Sequence, residues 1–137
     1  MDNKHKHLEL IQGVVNRLST NSFLLKGWSV VLVSALFALS APDSRIAFVY
    51  LAYIPAIIFW GLDGFFLWQE RLFRKLYDRV RVLPEDEVDF SMDVSVINED
   101  DRPTWGTSIL SKTLIPFHGV LILSVVIVMV LTLTAQE

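Results

Sequence analysis

The sequence contains no cysteine among its 137 residues. Disulfides, thiolate metal sites and cysteine nucleophiles are therefore excluded. Catalytic templates are also lacking, because there is no glycine-rich phosphate loop, no serine in a nucleophile-elbow motif and no acidic-histidine metal motif on a helix. His5 and His7 lie two residues apart near the N-terminus, which is a poor metal motif. We therefore expect no enzyme, no cofactor and no metal site.

Long stretches of the sequence also lack charged residues, because the charges are confined to particular segments. The chain is 53% hydrophobic and 20% charged, and the charges cluster at residues 1–26, 43–45 and 63–112. The stretches between them are long and apolar, which is typical of a membrane protein rather than of a greasy soluble domain. A chain of this length forms at most one domain.

Three apolar stretches are long enough to cross a hydrocarbon core of about 30 Å, which takes roughly 20 helical residues. They cover residues 23–41, 46–68 and 113–137. About 22 residues precede the first stretch, too many for the n-region of a signal peptide, so we expect no cleavage there. The predicted fold class is an all-α integral membrane protein with three transmembrane helices, residues 23–68 forming a transmembrane hairpin.

The distribution of Lys and Arg predicts the orientation. Residues 1–26 carry four of them and residues 69–112 carry seven, whereas the turn between the first two spans carries only Arg45. The positive-inside rule therefore places the N-terminus and the 69–112 segment in the cytoplasm, and the C-terminus in the periplasm. The expected location is the bacterial inner membrane, crossed several times.

Two cytoplasmic helices are expected. Within residues 1–22, Leu8, Ile11 and Val15 follow helical spacing, which predicts an amphipathic helix that lies on lipid headgroups or packs against the second helix. We expect a break at residues 19–22, where serine, threonine and asparagine could cap the next helix.

The second span is expected to continue out of the membrane to about Val82, because Pro84 then ends the helix. One face of this extension is a basic patch, formed by Arg71, Arg74, Lys75 and Arg79. We interpret it as an anchor to anionic lipid. Nucleic acid is not an expected partner, because no binding motif flanks the patch and acidic residues follow it.

Residues 88–96 alternate apolar and polar side chains over nine positions, which is typical of a β-strand. A strand needs a paired edge. The 88–96 strand would pair either with residues 104–110 in a hairpin or with a neighbouring subunit. The expected oligomer contacts are its apolar side chains, Val88, Phe90, Met92, Val94 and Val96.

Asp63 and His118 are polar exceptions inside the predicted spans. A carboxylate at the centre of a bilayer costs about 2.5–3.5 kcal/mol on insertion scales, so such residues usually face a partner or water. One interpretation is a hydrogen bond between Asp63 and His118, within or between subunits. The other is that Asp63 snorkels, or pairs with Lys112 or Arg71, and merely fixes packing.

Four blocks of the sequence carry a family resemblance: NSFLLKGW at 21–28, QERLFRKLY at 69–77, DFSMD at 89–93 and SKTL at 111–114. They are similar to blocks in the RipA-like family of octameric cytoplasmic-membrane proteins, over residues 7–120. The resemblance implies a homo-oligomer, a ring of eight subunits, and supplies no biochemical activity.

The expected function is a homo-oligomeric bacterial inner-membrane protein that forms a pore or perturbs the membrane, with a cytoplasmic sensing rim. The alternative is a non-conducting anchor or adaptor that recruits an unidentified cytoplasmic protein. In either case the lipid bilayer and further copies of the chain are expected partners. The predicted parts are the N-terminal helix (1–22), the hairpin (23–68), the cytoplasmic basic helix with a β-like acidic loop (69–112) and the third span (113–137).

Overall fold

The computed structural model describes residues 2–43 and 45–137. Within these ranges the α-helices are α1 (Asp2–Ser40), α2 (Ile46–Arg81), α3 (Trp105–Ile109) and α4 (Ile115–Ala135). Single turns of 3-10 helix occur at Glu85–Glu87, Val94–Val96 and Glu99–Asp101. α1, α2 and α4 are long and apolar enough to cross a membrane. The prediction of a helical fold with three such helices is confirmed, and the architecture fits a multi-pass membrane protein.

α1 and α2 form a long hairpin. With 39 and 36 residues, they are about 58 and 54 Å long at 1.5 Å per residue. Both therefore extend well beyond a hydrocarbon core of about 30 Å. The extensions pack on each other through a cluster of Ile11, Leu76 and Val80. The predicted end of the second helix is confirmed, because α2 ends at Arg81 with Val82 as its C-cap.

The expected break at residues 19–22 was wrong, because α1 continues through them without interruption. Ser22 does not cap a helix; its hydroxyl donates to the carboxylate of Asp63 on α2. On the extension side of this contact, Ile11 and Val15 are also buried. Tertiary contacts with α2 therefore hold the polar segment of α1 in the helix despite its modest intrinsic preference for it.

α4 packs mainly against α2 and touches α1 much less. At the end of the bundle next to the α1–α2 turn, the helices meet in what we call the apolar core, formed by Val33, Val49, Ala52, Ala56, Leu121 and Val125. The hydroxyl of Tyr53 lies 3.5 Å from the sulfur of Met129 beside this core. Packing of small and branched side chains, rather than polar contact, joins the helices there.

The segment between α2 and α4, residues 82–114, is called the loop module below. The predicted β-strand at 88–96 was wrong, since the described part of the chain contains no strand. The carboxylates of Asp89 and Asp93 accept hydrogen bonds from the N–H groups of Ser91 and Ser95, two residues further on. Such local turns compete with strand pairing for the same backbone groups.

The alternation of residues 88–96 has a different structural role from the one predicted. Met92 and Val94 pack against the cluster of Ile11, Leu76 and Val80 on the helical hairpin. Alternate side chains of an irregular segment thus cover the hairpin, without a partner strand.

The predicted hairpin partner, residues 104–110, was also wrong. This segment forms α3, and Thr104 caps it with a capping box to Thr107. Such a cap satisfies donors at the start of a helix that would otherwise have no partner.

Candidate functional site

The site is a polar cluster where α1, α2 and α4 meet, called the ionic cluster below. Lys26 Nζ lies 2.6 Å from Asp63 Oδ2, and His118 Nε2 donates to the same oxygen at 2.7 Å. Ser22 Oγ donates to Asp63 Oδ1 and accepts from Lys26 Nζ at 2.9 Å. Each of the three long helices therefore contributes to one hydrogen-bonded network around a single carboxylate.

The ionic cluster is almost sealed from solvent within one chain. The side chains of Asp63 and His118 are 0% exposed, and that of Lys26 is 20% exposed. An unpaired charge in this position would be strongly unfavourable, but the Lys26 ammonium and the hydrogen-bond donors around Asp63 offset much of the desolvation cost. In this conformation the cluster exposes neither Asp63 nor His118 to a substrate.

Two aromatic rings enclose His118. Trp60 stacks on its imidazole with ring centroids 5.8 Å apart and planes 4° from parallel. Phe117 approaches the same imidazole edge-on at 5.0 Å. The indole N–H of Trp60 donates to the backbone carbonyl of Ile109 at 3.0 Å. Trp60 thus contacts the ionic cluster with its ring face and the loop module with its only polar atom.

Two further tryptophans attach the loop module to α2. Trp105 Nε1 donates to the carbonyl of Gly61 at 3.0 Å, and Trp68 Nε1 donates to the carbonyl of Pro103 at 2.8 Å. Indole N–H groups at a membrane boundary usually find such partners. Together with Trp60, these contacts hold the segment from Pro103 to Ile109 against α2.

Gly64 makes the close approach of α3 possible. A β-carbon at this position would lie 2.3 Å from Cγ1 of Ile109 and 3.3 Å from its Cα. Gly61, one turn earlier on α2, has nothing within 4 Å of the equivalent position. The missing side chain of Gly64 therefore leaves the space that Ile109 occupies, whereas a side chain at Gly61 would meet no neighbour.

A second contact attaches the other end of the loop module to α1. His7 is 1% exposed, and its Nε2 donates to the carbonyl of Ser91 at 2.8 Å. Its ring lies 5.5 Å from the ring of Phe90, whose backbone has a positive φ of 59°. A bulky residue rarely adopts this left-handed conformation, so the surrounding contacts impose it. His7, considered in the sequence as a poor metal ligand, fixes this loop.

Of the two interpretations of Asp63, the structure supports the hydrogen bond to His118, and it forms within one chain. The charged partner is Lys26 rather than Lys112 or Arg71. Sequence reasoning missed Lys26, Ser22 and Trp60. The available signal was that Lys26 is the only charge within the first span, as Asp63 is within the second.

The four residues of the basic patch do not behave alike. Arg74 and Lys75 are exposed and Arg71 is partly exposed, and the guanidinium of Arg74 pairs with Glu70 at 3.1 Å. Arg79 instead donates to the carbonyl of Val96 at 3.2 Å, so it fastens the loop module to α2. Their contact with lipid stays a prediction.

The five expected oligomer contacts are also divided. Met92 and Val94 pack against the chain's own hairpin. Phe90 and Val96 are 39% and 40% exposed, and Val88 is partly exposed. Only part of the alternating segment is therefore left for a neighbouring chain.

Fold and site together describe a helical chain with three candidate transmembrane helices, a buried ionic cluster and a loop module docked over it. Comparisons with protein-family models, with curated proteins and with solved structures give no match.

Proposed function

We propose that the chain is a subunit of a homo-oligomeric bacterial inner-membrane protein that perturbs or opens the membrane, and that its loop module keeps it closed. The observation that carries this proposal is the double contact of Trp60. Its ring stacks on His118 of the ionic cluster, while its N–H binds Ile109 of the loop module. A movement of the module is thereby transmitted directly to the contact between α1, α2 and α4.

The proposed orientation of the chain in the membrane places the loop module on the cytoplasmic side. The distribution of Lys and Arg favours a cytoplasmic loop module and a periplasmic C-terminus. The module would then be the part that meets a cytoplasmic signal. Asp63 lies five residues before Trp68, which corresponds to about 7.5 Å along the helix. The ionic cluster would thus lie just inside the cytoplasmic boundary of the membrane.

Within the residues that the structure describes, the three long helices of one subunit leave no polar path past the ionic cluster. Beyond the ionic cluster, the helices meet in the apolar core, where ions would lose their hydration without compensation. Opening therefore requires either a rearrangement of the three helices or a path between subunits. We therefore assign the proposed activity to the oligomer, in the state in which the loop module has moved away from α2.

Apolar side chains outside the predicted spans support assembly. Val82 is 73% exposed, and Phe90 and Val96 are 39% and 40% exposed. These three form the proposed contact with a further copy of the chain, and the family resemblance favours a ring of eight. Replacing Phe90 and Val96 by aspartate should reduce the assembled mass of the detergent-solubilised protein. An unchanged mass would contradict their role as contacts.

Dye release from liposomes tests the proposed activity. Gly64→Ala should push Ile109 away and increase release severalfold over wild type, because it undocks the loop module. Gly61→Ala is the matched control, and it should release as little dye as wild type. If both variants leave the liposomes tight, the proposal of a gated membrane-perturbing assembly is wrong.

A non-conducting adaptor is the second candidate function. It is favoured by the acidic surface of the loop module, where Asp86, Glu87, Asp89, Glu99, Asp100 and Asp101 are all exposed. Such a surface would recruit a basic cytoplasmic protein, with strong dependence on salt. Tight liposomes for both glycine variants, together with salt-sensitive capture of one such protein, would favour this alternative.

A further inference from the structure

A groove between α1 and α4 is left open by the chain itself. These two helices touch little, and the space between them has a volume of about 560 Å³. The residues that shape it include Val30, Ser34, Phe37, Phe117, Val120 and Ser124. Val30 and Val120 are 42% and 63% exposed, so the groove opens sideways, toward the lipid.

The position of the groove matches one leaflet of a bilayer. Its lining on α1 begins at Val30, one turn beyond Lys26, and ends at Phe37. Its lining on α4 runs from Pro116 to Ser124. At 1.5 Å per residue, these stretches are about 10–12 Å long. Half of a hydrocarbon core is about 15 Å thick. The groove therefore spans most of the leaflet in which Lys26 lies.

The lining selects an apolar occupant. Among its described residues there is no charged side chain, and Ser34 and Ser124 supply the only hydroxyls. The Ser124 hydroxyl donates to the carbonyl of Val120 within its own helix. Water would thus gain few hydrogen bonds in the groove, whereas a hydrocarbon chain would restore the packing contacts that α1 and α4 do not make.

The end of the groove near the ionic cluster is different, because it offers a positive donor. An ammonium group has three N–H donors. Two of those on Lys26 are directed to Ser22 and Asp63, and within the described residues no third acceptor contacts Nζ. The same Nζ lies 6.0 Å from the centre of the Phe117 ring, and Phe117 lines the groove. A free donor and a partly exposed positive charge therefore lie beside its mouth.

We propose that this groove binds one glycerophospholipid of the bilayer, with an acyl chain between α1 and α4 and a phosphate oxygen on the ammonium of Lys26. The ammonium of Lys26 is opposite in charge to the phosphate. The apolar groove extends from this ammonium into the bilayer, as the acyl chain extends from the headgroup of the lipid. A helix from a second copy of the chain fits less well, because it would bring no acidic side chain to Lys26. Residues 23–41, 46–68 and 115–135 contain no acidic residue other than Asp63, and Asp63 is buried within its own chain.

Native mass spectrometry of the full-length protein, loaded with phosphatidylglycerol in detergent, tests this site. Wild type should retain one phospholipid per chain. Val120→Trp should reduce the retained lipid by about tenfold or more, because the indole would occupy the groove. Leu123→Trp is the matched control, since Leu123 is 55% exposed on the same helix and does not line the groove. This variant should retain lipid like wild type.

The experiment includes a second groove variant and a second lipid as further comparisons. Ser34→Leu fills the groove from α1 and should lose lipid like Val120→Trp, even if one of the two variants folds poorly. Diacylglycerol with the same acyl chains should be retained about tenfold less than the phospholipid, since it has no phosphate for Lys26. Equal retention of the two lipids, or unchanged retention in both groove variants, would overturn the proposal. So would a lipid-free wild type whose assembly Val120→Trp dissociates, because the occupant would then be a second copy of the chain.

Discussion

At the end of the bundle next to the loop module, Asp63, His118 and Lys26 meet under aromatic rings, whereas at the end next to the α1–α2 turn only apolar side chains meet. The first end depends on directional contacts of about 2.6–2.7 Å that tolerate little displacement. The second depends on packing, which lipid tails can partly replace. The difference indicates that the end next to the loop module determines the relative positions of the helices.

The largest effect is expected from Asp63→Leu. The variant should still insert into the membrane, since an apolar side chain inserts more easily, but it leaves Lys26 and His118 without their shared acceptor. We expect a loss of about 3 kcal/mol in the free energy of unfolding, measured by denaturation in mixed detergent micelles. Asp63→Asn, which keeps an acceptor for His118, should lose less. Wild-type stability of Asp63→Leu would show that the ionic cluster contributes nothing.

An intermediate effect is expected where the loop module docks. Gly64→Ala should cost about 1–3 kcal/mol in the same assay, because its methyl group overlaps Ile109. Gly61→Ala meets nothing and should be neutral, or more stable by up to about 1 kcal/mol through helix propensity. If the two alanine variants were equally stable, Ile109 could not be closely packed on α2.

A smaller effect is expected in the apolar core. Val125→Ala removes two methyl groups from a fully buried position and should cost about 1 kcal/mol. This cost should stay well below that of Asp63→Leu, because the cavity leaves no polar group without a partner. A cost equal to that of Asp63→Leu would remove the distinction between the two ends.

The smallest effect concerns Asp93 on the surface of the loop module. Hydrogen bonds from the Ser95 side chain and backbone hold the pKa of the Asp93 carboxyl below its usual range. This lowered pKa stabilises the turn above the unfolded pKa of about 3.9, and the stabilisation is lost as pH falls through the lower folded value. The protection of the Ser95 amide, meaning its exchange rate relative to that of an unstructured amide at the same pH, should therefore fall under acid conditions, and Asp93→Asn should remove that pH dependence. A wild-type profile in Asp93→Asn would contradict this assignment.

The helical spans and the end of α2 could be predicted, because hydropathy and Pro84 act locally. The course of residues 88–96 could not, since alternation describes any segment with one covered side, whether or not a second strand pairs with it. In the structure, the carboxylates of Asp89 and Asp93 accept hydrogen bonds from nearby N–H groups, and only these turns have a local sequence pattern. In retrospect, aspartate two residues before serine at both positions favours turns.

The candidate site was predictable in part. Asp63 and His118 are the polar exceptions within the predicted second and third spans, which is why a hydrogen bond between them was one of the two interpretations. Lys26 could not be assigned to Asp63 from the sequence, because a lysine near the end of a span can also snorkel to the headgroups. The continuous α1 was needed to bring Ser22 and Lys26 onto Asp63, and the expected break at 19–22 obscured it.

The central claim is that the ionic cluster and the loop module are coupled through Trp60, and amide hydrogen exchange of residues 104–110 tests it most directly. His118→Ala removes the ring on which Trp60 stacks, whereas Val125→Ala perturbs the same helix in the apolar core. The account predicts that exchange in residues 104–110 accelerates about tenfold in His118→Ala and stays at the wild-type rate in Val125→Ala. Exchange that is unchanged in His118→Ala, or accelerated equally in both variants, would contradict it.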